Sequence, residues 1–155
     1  MNGGTLKDKY LIFSIGTEEY GIEIKHVLEI IGMNTIRNIP GLPSFIKGVV
    51  NLRGNTIHVI DVRDRFKKEK EQCNCRTCVI LISVKGESIG FIVDKVMKVI
   101  DIDEEQIVIP PEFKSIYKNR YIKGMYKDRN TSKMILDCER FINYEGKTVD
   151  KAFKE

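Results

Sequence analysis

The sequence contains no tryptophan and only two histidines, His26 and His58, among its 155 residues. Neither histidine has a nucleophile or carboxylate nearby in a spacing that suggests catalysis, so both read as structural or solvated. There is no G-x-x-x-x-G-K and no G-x-G-x-x-G, so nucleotide binding through those loops has no sequence support. Gly86-Glu87-Ser88-Ile89-Gly90 spells G-x-S-x-G, but it runs through a turn between two strands rather than from a strand into a helix, which is not the setting of a hydrolase nucleophile. No uncharged stretch approaches the roughly 20 residues that a membrane-spanning helix needs. Met1 to Tyr10 is polar and lacks the apolar core of a secretory signal, so the expected location is the cytoplasm. Cysteine is scarce too. The four present read as thiols rather than a disulfide framework. Charge of one sign is also lacking: Lys and Arg total 26 against 22 Asp and Glu, a net +4. That excess is too mild to mark a nucleic-acid binder by itself.

What is present is short apolar bursts in a globular composition of 42% hydrophobic and 31% charged residues. A chain of this length buries roughly 70% of the surface its unfolded form exposes, enough to fold without disulfide or metal. Tyr10 to Ile15, Tyr20 to Ile24, Gly48 to Leu52, Ile57 to Val62, Thr77 to Val84 and Ile89 to Val93 are rich in Val and Ile and read as strands. Turn signals stand at Gly16-Thr17-Glu18, Arg53-Gly54-Asn55-Thr56 and Lys85-Gly86-Glu87. Lys25 to Ile31 fits either a short helix or an extended crossover. Asp61 and Asp137 each follow a strand and are placed to cap a helical turn. Glu145 to Lys154 is expected to be a last helix, with Val149 and Phe153 on one face.

The chain also repeats itself. At an offset of 69, Ser14 meets Ser83, Tyr20 meets Ile89, Gly21 meets Gly90, Val27 meets Val96 and Ile31 meets Ile100. At an offset of 76, Phe45-Ile46-Lys47-Gly48 meets Tyr121-Ile122-Lys123-Gly124, and Val59-Ile60-Asp61 meets Ile135-Leu136-Asp137. Arg53 meets Arg129. Glycine matching glycine and aspartate matching aspartate at steady offsets imply two small β units on one plan. The expected halves are residues 10–70 and 77–142, with the first strand and the C-terminal segment free to cross between them. Residues 143–155 are expected to form a C-terminal helix or tail.

The most distinctive string is Gly48-Val49-Val50-Asn51-Leu52-Arg53-Gly54, a strand running into a tight turn with Arg53 at its tip. With Val59-Ile60-Asp61-Val62-Arg63 and Phe66 it strongly resembles the CheW family, the coupling proteins of bacterial chemotaxis. Glu18 to Ile24, Val27 to Ile30, Ile39 to Pro43, Ile89 to Ile100, Pro110 to Phe113 and Ile122 to Gly124 extend the resemblance over most of Tyr10 to Ile142. It implies an all-β fold of two five-stranded SH3-like β-barrels, with short helices. It also implies a non-catalytic adaptor that joins a CheA-type histidine kinase, through its regulatory domain, to the cytoplasmic tips of methyl-accepting chemoreceptors. No cofactor and no membrane insertion are implied. The positions implied for receptor contact are Val27, Glu29, Arg53, Gly90 and Val99, with Asn51, Leu52 and Gly54 as the signature around Arg53. Weaker candidates for kinase contact are Gly48, Glu18, Tyr20 and Ile22. A paralogue serving a sensory pathway other than chemotaxis is the alternative within the family.

The cysteines depart from that resemblance, and a basic segment admits a second reading. Cys73, Cys75 and Cys78 form C-x-C-x2-C with only Cys138 as a fourth thiol, and no histidine is near in sequence. Thiolates can serve as a metal or redox site, taking Zn²⁺ or an iron–sulfur cluster, but an ordinary strand cysteine and two loop thiols are the favoured reading. Glu112 to Lys133 carries seven basic residues against two acids, with Phe113, Tyr117, Tyr121 and Tyr126 interleaved. Single-strand nucleic-acid binders use that pattern, and small β-barrels bind nucleic acid. This is the competing function class. Four acids between Asp101 and Glu105, and tyrosines that the repeat assigns to the core, favour a solvated basic face instead.

Overall fold

The structure, a computed structural model, describes residues 8–41, 46–61, 76–109, 121–129, 131–141, 143–144 and 147–148. The chain forms two five-stranded sheets, and the repeat can be followed strand by strand. The first copy supplies β1 (Lys9–Ile15), β2 (Glu18–Glu23), β3 (Val27–Gly32), β4 (Ile46–Leu52) and β5 (Asn55–Asp61). The second supplies β6 (Cys78–Val84), β7 (Glu87–Val93), β8 (Lys95–Asp101), β9 (Ile122–Lys127) and β10 (Ser132–Leu136).

The sheets are not the two copies. Their orders are β8-β1-β2-β10-β9 and β3-β6-β7-β5-β4, so each sheet joins the hairpin of one copy to three strands of the other. Unit 1 therefore comprises Met1–His26 with Val96–Phe141, and unit 2 comprises Val27–Lys95 with Ile142–Glu155. Each unit thus draws strands from both copies, and Ile142–Glu155 groups with unit 2.

Register shows how closely the copies agree. In the β1–β2 hairpin Tyr10 faces Glu23, and at +69 in the β6–β7 hairpin Val79 faces Ile92. Each hairpin is joined in parallel by the last strand of the other copy. Tyr20 and Gly21 meet Met134 and Ile135 in unit 1. Ile89 and Gly90 meet His58 and Val59 in unit 2. A bridge in each unit covers the outer edge of β4 or β9: Arg37 pairs with Val49, and Val108 pairs with Met125.

Burial explains the sequence patterns. β1 and β6 are second from the edge of their sheets and buried almost throughout, so they read as continuous apolar runs. β3 is an edge strand with alternating burial. The core of unit 2 is Val50, Ile57, Val59, Val79 and Leu81, joined by Ile31 and Ile36. Unit 1 has Tyr10, Ile12, Ile102 and Ile135, joined by Ile100, Ile107 and Tyr126.

Lys25 to Ile31 resolves as a crossover: one 3-10 turn at Ile24–His26 and then β3. Asp137 does cap a helix, the short α1 (Cys138–Phe141), by accepting the Arg140 N–H at 3.1 Å. The helical turn expected after Asp61 falls in residues 62–75, outside the described residues. The expected helix over Glu145 to Lys154 is corrected at Lys147–Thr148, which forms a two-residue strand (β12) against Asn143–Tyr144 (β11). Among the described residues, no helix is long and apolar enough to cross a membrane.

Candidate protein-docking surface

Unit 2 carries four of the five residues expected to touch a receptor: Val27 and Glu29 on β3, Gly90 on β7 and Arg53 in the turn between β4 and β5. The local chemistry begins in β4. Its signature strand ends at Leu52, which faces Asn55, so Arg53 and Gly54 are the whole turn. Both have positive φ, 52° and 86°. That is the signature of a type I′ turn, the hairpin connection whose twist suits the flanking strands. Glycine takes this conformation freely, whereas arginine is held there at a cost of about 1–2 kcal/mol. Asn51 helps to hold it: its Oδ1 accepts the Gly54 N–H at 3.1 Å. Leu52 packs against the unit 2 core and roots the hairpin.

The outcome is a presented guanidinium. The Arg53 side chain is 79% exposed, and its Nη2 lies 3.9 Å from Oε1 of Glu29, itself 41% exposed. An ion pair so exposed is worth about 0–1 kcal/mol, so its contribution to folding is small. Glu29 stands in β3, 24 residues before Arg53 in the sequence, yet the two end side by side. Val27 opens the same strand opposite Ile82 and is half-buried. Leu28 and Ile30 alternate with these residues and are exposed apolar side chains.

The other expected positions divide differently. Gly90 is buried in the middle of β7, where an added Cβ would lie 2.9 Å from Val79 Cγ1. It shapes the sheet and offers no side chain. Val99 is exposed on β8 and belongs to unit 1. Gly48, a weaker candidate for kinase contact, has φ +153°, and an added Cβ would fall 2.3 Å from the Arg37 carbonyl oxygen. Its glycine is required by the Arg37–Val49 bridge. Tyr20 and Ile22 are core side chains of unit 1, 1% and 0% exposed. Glu18 is half-buried on the same strand, accepting the Tyr20 hydroxyl at 2.8 Å.

The thiols and the basic segment resolve in part. Cys73 and Cys75 lie outside the described residues. Cys78 begins β6, and Cys138 is buried at the start of α1, where burial pushes its thiol pKa well up, with Glu23 and Asp137 adding to the shift. Among the described residues, no cluster of three or more His, Cys, Asp or Glu could hold a metal ion. His26 sits 3.6 Å from Glu23, and His58 lies in β5 opposite Val49. Of the interleaved aromatics, Tyr121 packs on Phe141 at 5.2 Å between ring centres and Tyr126 lies against the unit 1 core. Phe113 and Tyr117 lie outside the described residues.

One feature was not singled out from sequence. Lys133, in the basic segment, is 2% exposed in its side chain. Its Nζ lies 3.1 Å from Glu19 Oε1, 3.3 Å from Asp128 Oδ2 and 3.0 Å from Thr131 Oγ1. Burial pulls the ammonium pKa down, but the hydrogen bonds to Glu19 and Asp128 outweigh it and leave the pKa raised. The offset of 76 carries the signal, because it sets Lys133 on Ile57, a core position.

Residues 9–146 match the family model of the CheW-like domain. The chemotaxis protein CheW of Klebsiella aerogenes is 35% identical over 143 residues, 92% of this chain and 86% of that one. That of Bacillus subtilis is 29% identical, covering 90% and 89%. The crystal structure of the scaffolding protein TtCheW from Thermoanaerobacter tengcongensis superposes with a TM-score of 0.81 at 33% identity, over 92% of this chain and 97% of that one.

Proposed function

The chain belongs to the CheW family, a family of non-catalytic scaffold proteins of chemotaxis, and from that premise we propose that it couples chemoreceptors to a CheA-type histidine kinase. In this reading the Arg53 turn of unit 2 meets the cytoplasmic tip of a methyl-accepting receptor. A second surface holds the regulatory domain of the kinase, since an adaptor must bind both at once. The protein works at membrane-associated receptor arrays without entering the bilayer.

The observation that carries the proposal is the meeting of Glu29 and Arg53 on unit 2, at an exposed turn that Asn51 holds. An arginine kept in a costly backbone conformation, while contributing little to folding, is well suited to a partner. At an interface its five donors and planar face make it a frequent hot spot. The competing nucleic-acid reading is weakened where, among the described residues, Tyr121 packs on Phe141 and Tyr126 against the unit 1 core.

Reconstitution tests the proposal. Purified protein, receptor-containing membranes and the kinase are mixed and sedimented. The expected result is kinase in the pellet only when this protein is present, with receptor control of autophosphorylation. Kinase that stays in the supernatant, or binding that goes to single-stranded oligonucleotide and falls steeply with salt, contradicts it.

A further inference from the structure

The repeat gives unit 1 its own counterpart of the Arg53 turn. At the offset of 76, Arg53 corresponds to Arg129, at the tip of the β9–β10 hairpin. Lys127 faces Ser132 at the base of this tip, and the Asp128 N–H donates to the Thr131 carbonyl at 2.9 Å. Arg129 is exposed, and its own N–H donates to Asp128 Oδ1 at 2.7 Å. Among the described residues no carboxylate lies within ion-pair distance of its guanidinium.

The two tips are held by different means. The Arg53 turn rests on Asn51 and on the apolar side chain of Leu52. The Arg129 turn rests on the Lys133 ammonium, which grips Asp128 and Thr131 on one side and Glu19 of β2 on the other. Unit 2 has the apolar Ile57 in the place of Lys133. A buried ammonium with two carboxylates is a costly way to fill a position that an isoleucine fills in the other copy, and ion clusters of this kind are often replaceable by apolar residues without loss of stability. What the cluster does provide is geometry: it ties the turn carrying Arg129 to the β1–β2 hairpin.

We propose that the Arg129 tip of unit 1 is a second docking point, taking a carboxylate-bearing surface on the regulatory domain of the kinase, and that Lys133 is its positioning residue. The inference rests on the adaptor reading above. That reading requires a kinase surface apart from the Arg53 turn, and Glu18, the one kinase candidate on β2 with an accessible side chain, adjoins the Glu19 that Lys133 grips. Charge complementarity sets the partner. Lys127 and Arg129 are exposed at the tip, and the Asp128 carboxylate is already engaged by Lys133. A phosphate backbone is less suited, because Tyr126 beside the tip is turned into the unit 1 core.

The test is titration of the full chain and its variants with the isolated kinase regulatory domain and, separately, with a receptor tip fragment. Arg129→Glu is expected to weaken the kinase domain by ~10-fold or more and leave receptor affinity within about twofold. Lys133→Ile is expected to keep its circular-dichroism spectrum while weakening the kinase domain by ~3-fold or more, and to add nothing in an Arg129→Ala background, because it acts through Arg129. Should Lys133→Ile not fold, Asp128→Asn removes the exposed carboxylate of the brace and is expected to give the same selective loss. Unchanged kinase affinity in Arg129→Glu, beside a wild type that binds, overturns this docking point and leaves the adaptor reading standing. A wild type that does not bind the kinase domain overturns both. Equal loss of receptor and kinase, additive loss in the double variant, or an oligonucleotide bound by the wild type and released by Arg129→Glu overturns the inference.

Discussion

Alanine at Gly90 and alanine at Gly21 are one substitution made at equivalent places in the two units, and the structure predicts unequal costs. Neither glycine has positive φ, so alanine meets no backbone penalty at either. At Gly90 the new Cβ would stand 2.9 Å from Val79 Cγ1 and 3.1 Å from both Leu81 Cδ2 and Val59 Cγ2. Valine methyls sit one bond from their Cβ and turn only with a stiff χ1, so two of those neighbours cannot yield. At Gly21 the near atoms are Ile12 Cδ1 and Ile135 Cδ1, both at 3.0 Å. Those are side-chain ends that swing on χ2. Overpacking a close-packed core costs about 1–3 kcal/mol, and Gly→Ala returns about 0.4–1 kcal/mol by restricting the unfolded chain. Gly90→Ala should therefore destabilise by about 1–2 kcal/mol and Gly21→Ala by about 0.5 kcal/mol or less. In a chain this size the first lowers Tm by roughly 2–8 °C and the second by no more than about 2 °C. Thermal melting and urea titration at unchanged m-value measure both. Equal costs refute the packing argument. A Gly90→Ala protein of wild-type stability that has lost receptor affinity would show instead that the backbone of Gly90 is a contact.

The geometry sets two more outcomes. Asn51→Ala removes the acceptor of the Gly54 N–H and should cost about 0.5–1.5 kcal/mol in urea titration, while also weakening receptor binding because the Arg53 turn loosens. Tyr10 has its phenol pushed up to about 12 by burial, then by Glu23, Asp8 and Glu104. A folded-state pKa above the unfolded value of about 10 means that its stabilisation is complete below pH 10 and is lost as pH rises towards 12. Tyr10→Phe should therefore flatten the alkaline loss of stability between those values, and an unchanged alkaline transition would contradict the assignment.

The repeat was legible in part because the matched glycines occupy positions where strands pass closely. Gly21 and Gly90 each lie against a residue of the parallel partner strand, Ile135 and Val59, which are themselves a matched pair. The exchange of strands between units was not legible. Each copy offers a hairpin, a crossover and a second hairpin with the same register. Nothing in their patterns says which hairpin a crossover will join. β8 was missed as a strand because it is an edge, with Met97 and Val99 facing out and Lys98 between them. The expected last helix rested on the spacing of Val149 and Phe153, which lie outside the described residues, whereas Lys147 and Thr148 pair as a strand.

The candidate site was legible where the family string carries it. Asn51, Arg53 and Gly54 behave as one turn, and Glu29 comes to meet Arg53. Of the glycines and apolar residues named as contacts, Gly90, Tyr20 and Ile22 are interior, Val27 is half-buried and Val99 is exposed. Lys133 was hidden because a lysine in an alternating strand reads as solvent-facing. Only comparison with Ile57 shows that its side chain points where the other copy has core.

Paired titration of Arg53→Glu with a receptor tip fragment and with the kinase regulatory domain tests the central claim most directly. The account predicts a circular-dichroism spectrum and melting temperature close to wild type, because an exposed pair with Glu29 is worth about 0–1 kcal/mol. It predicts receptor affinity down by ~10-fold or more with kinase affinity largely kept. Receptor affinity equal to wild type would contradict the assignment of this turn, and loss of folding would show Arg53 to be structural.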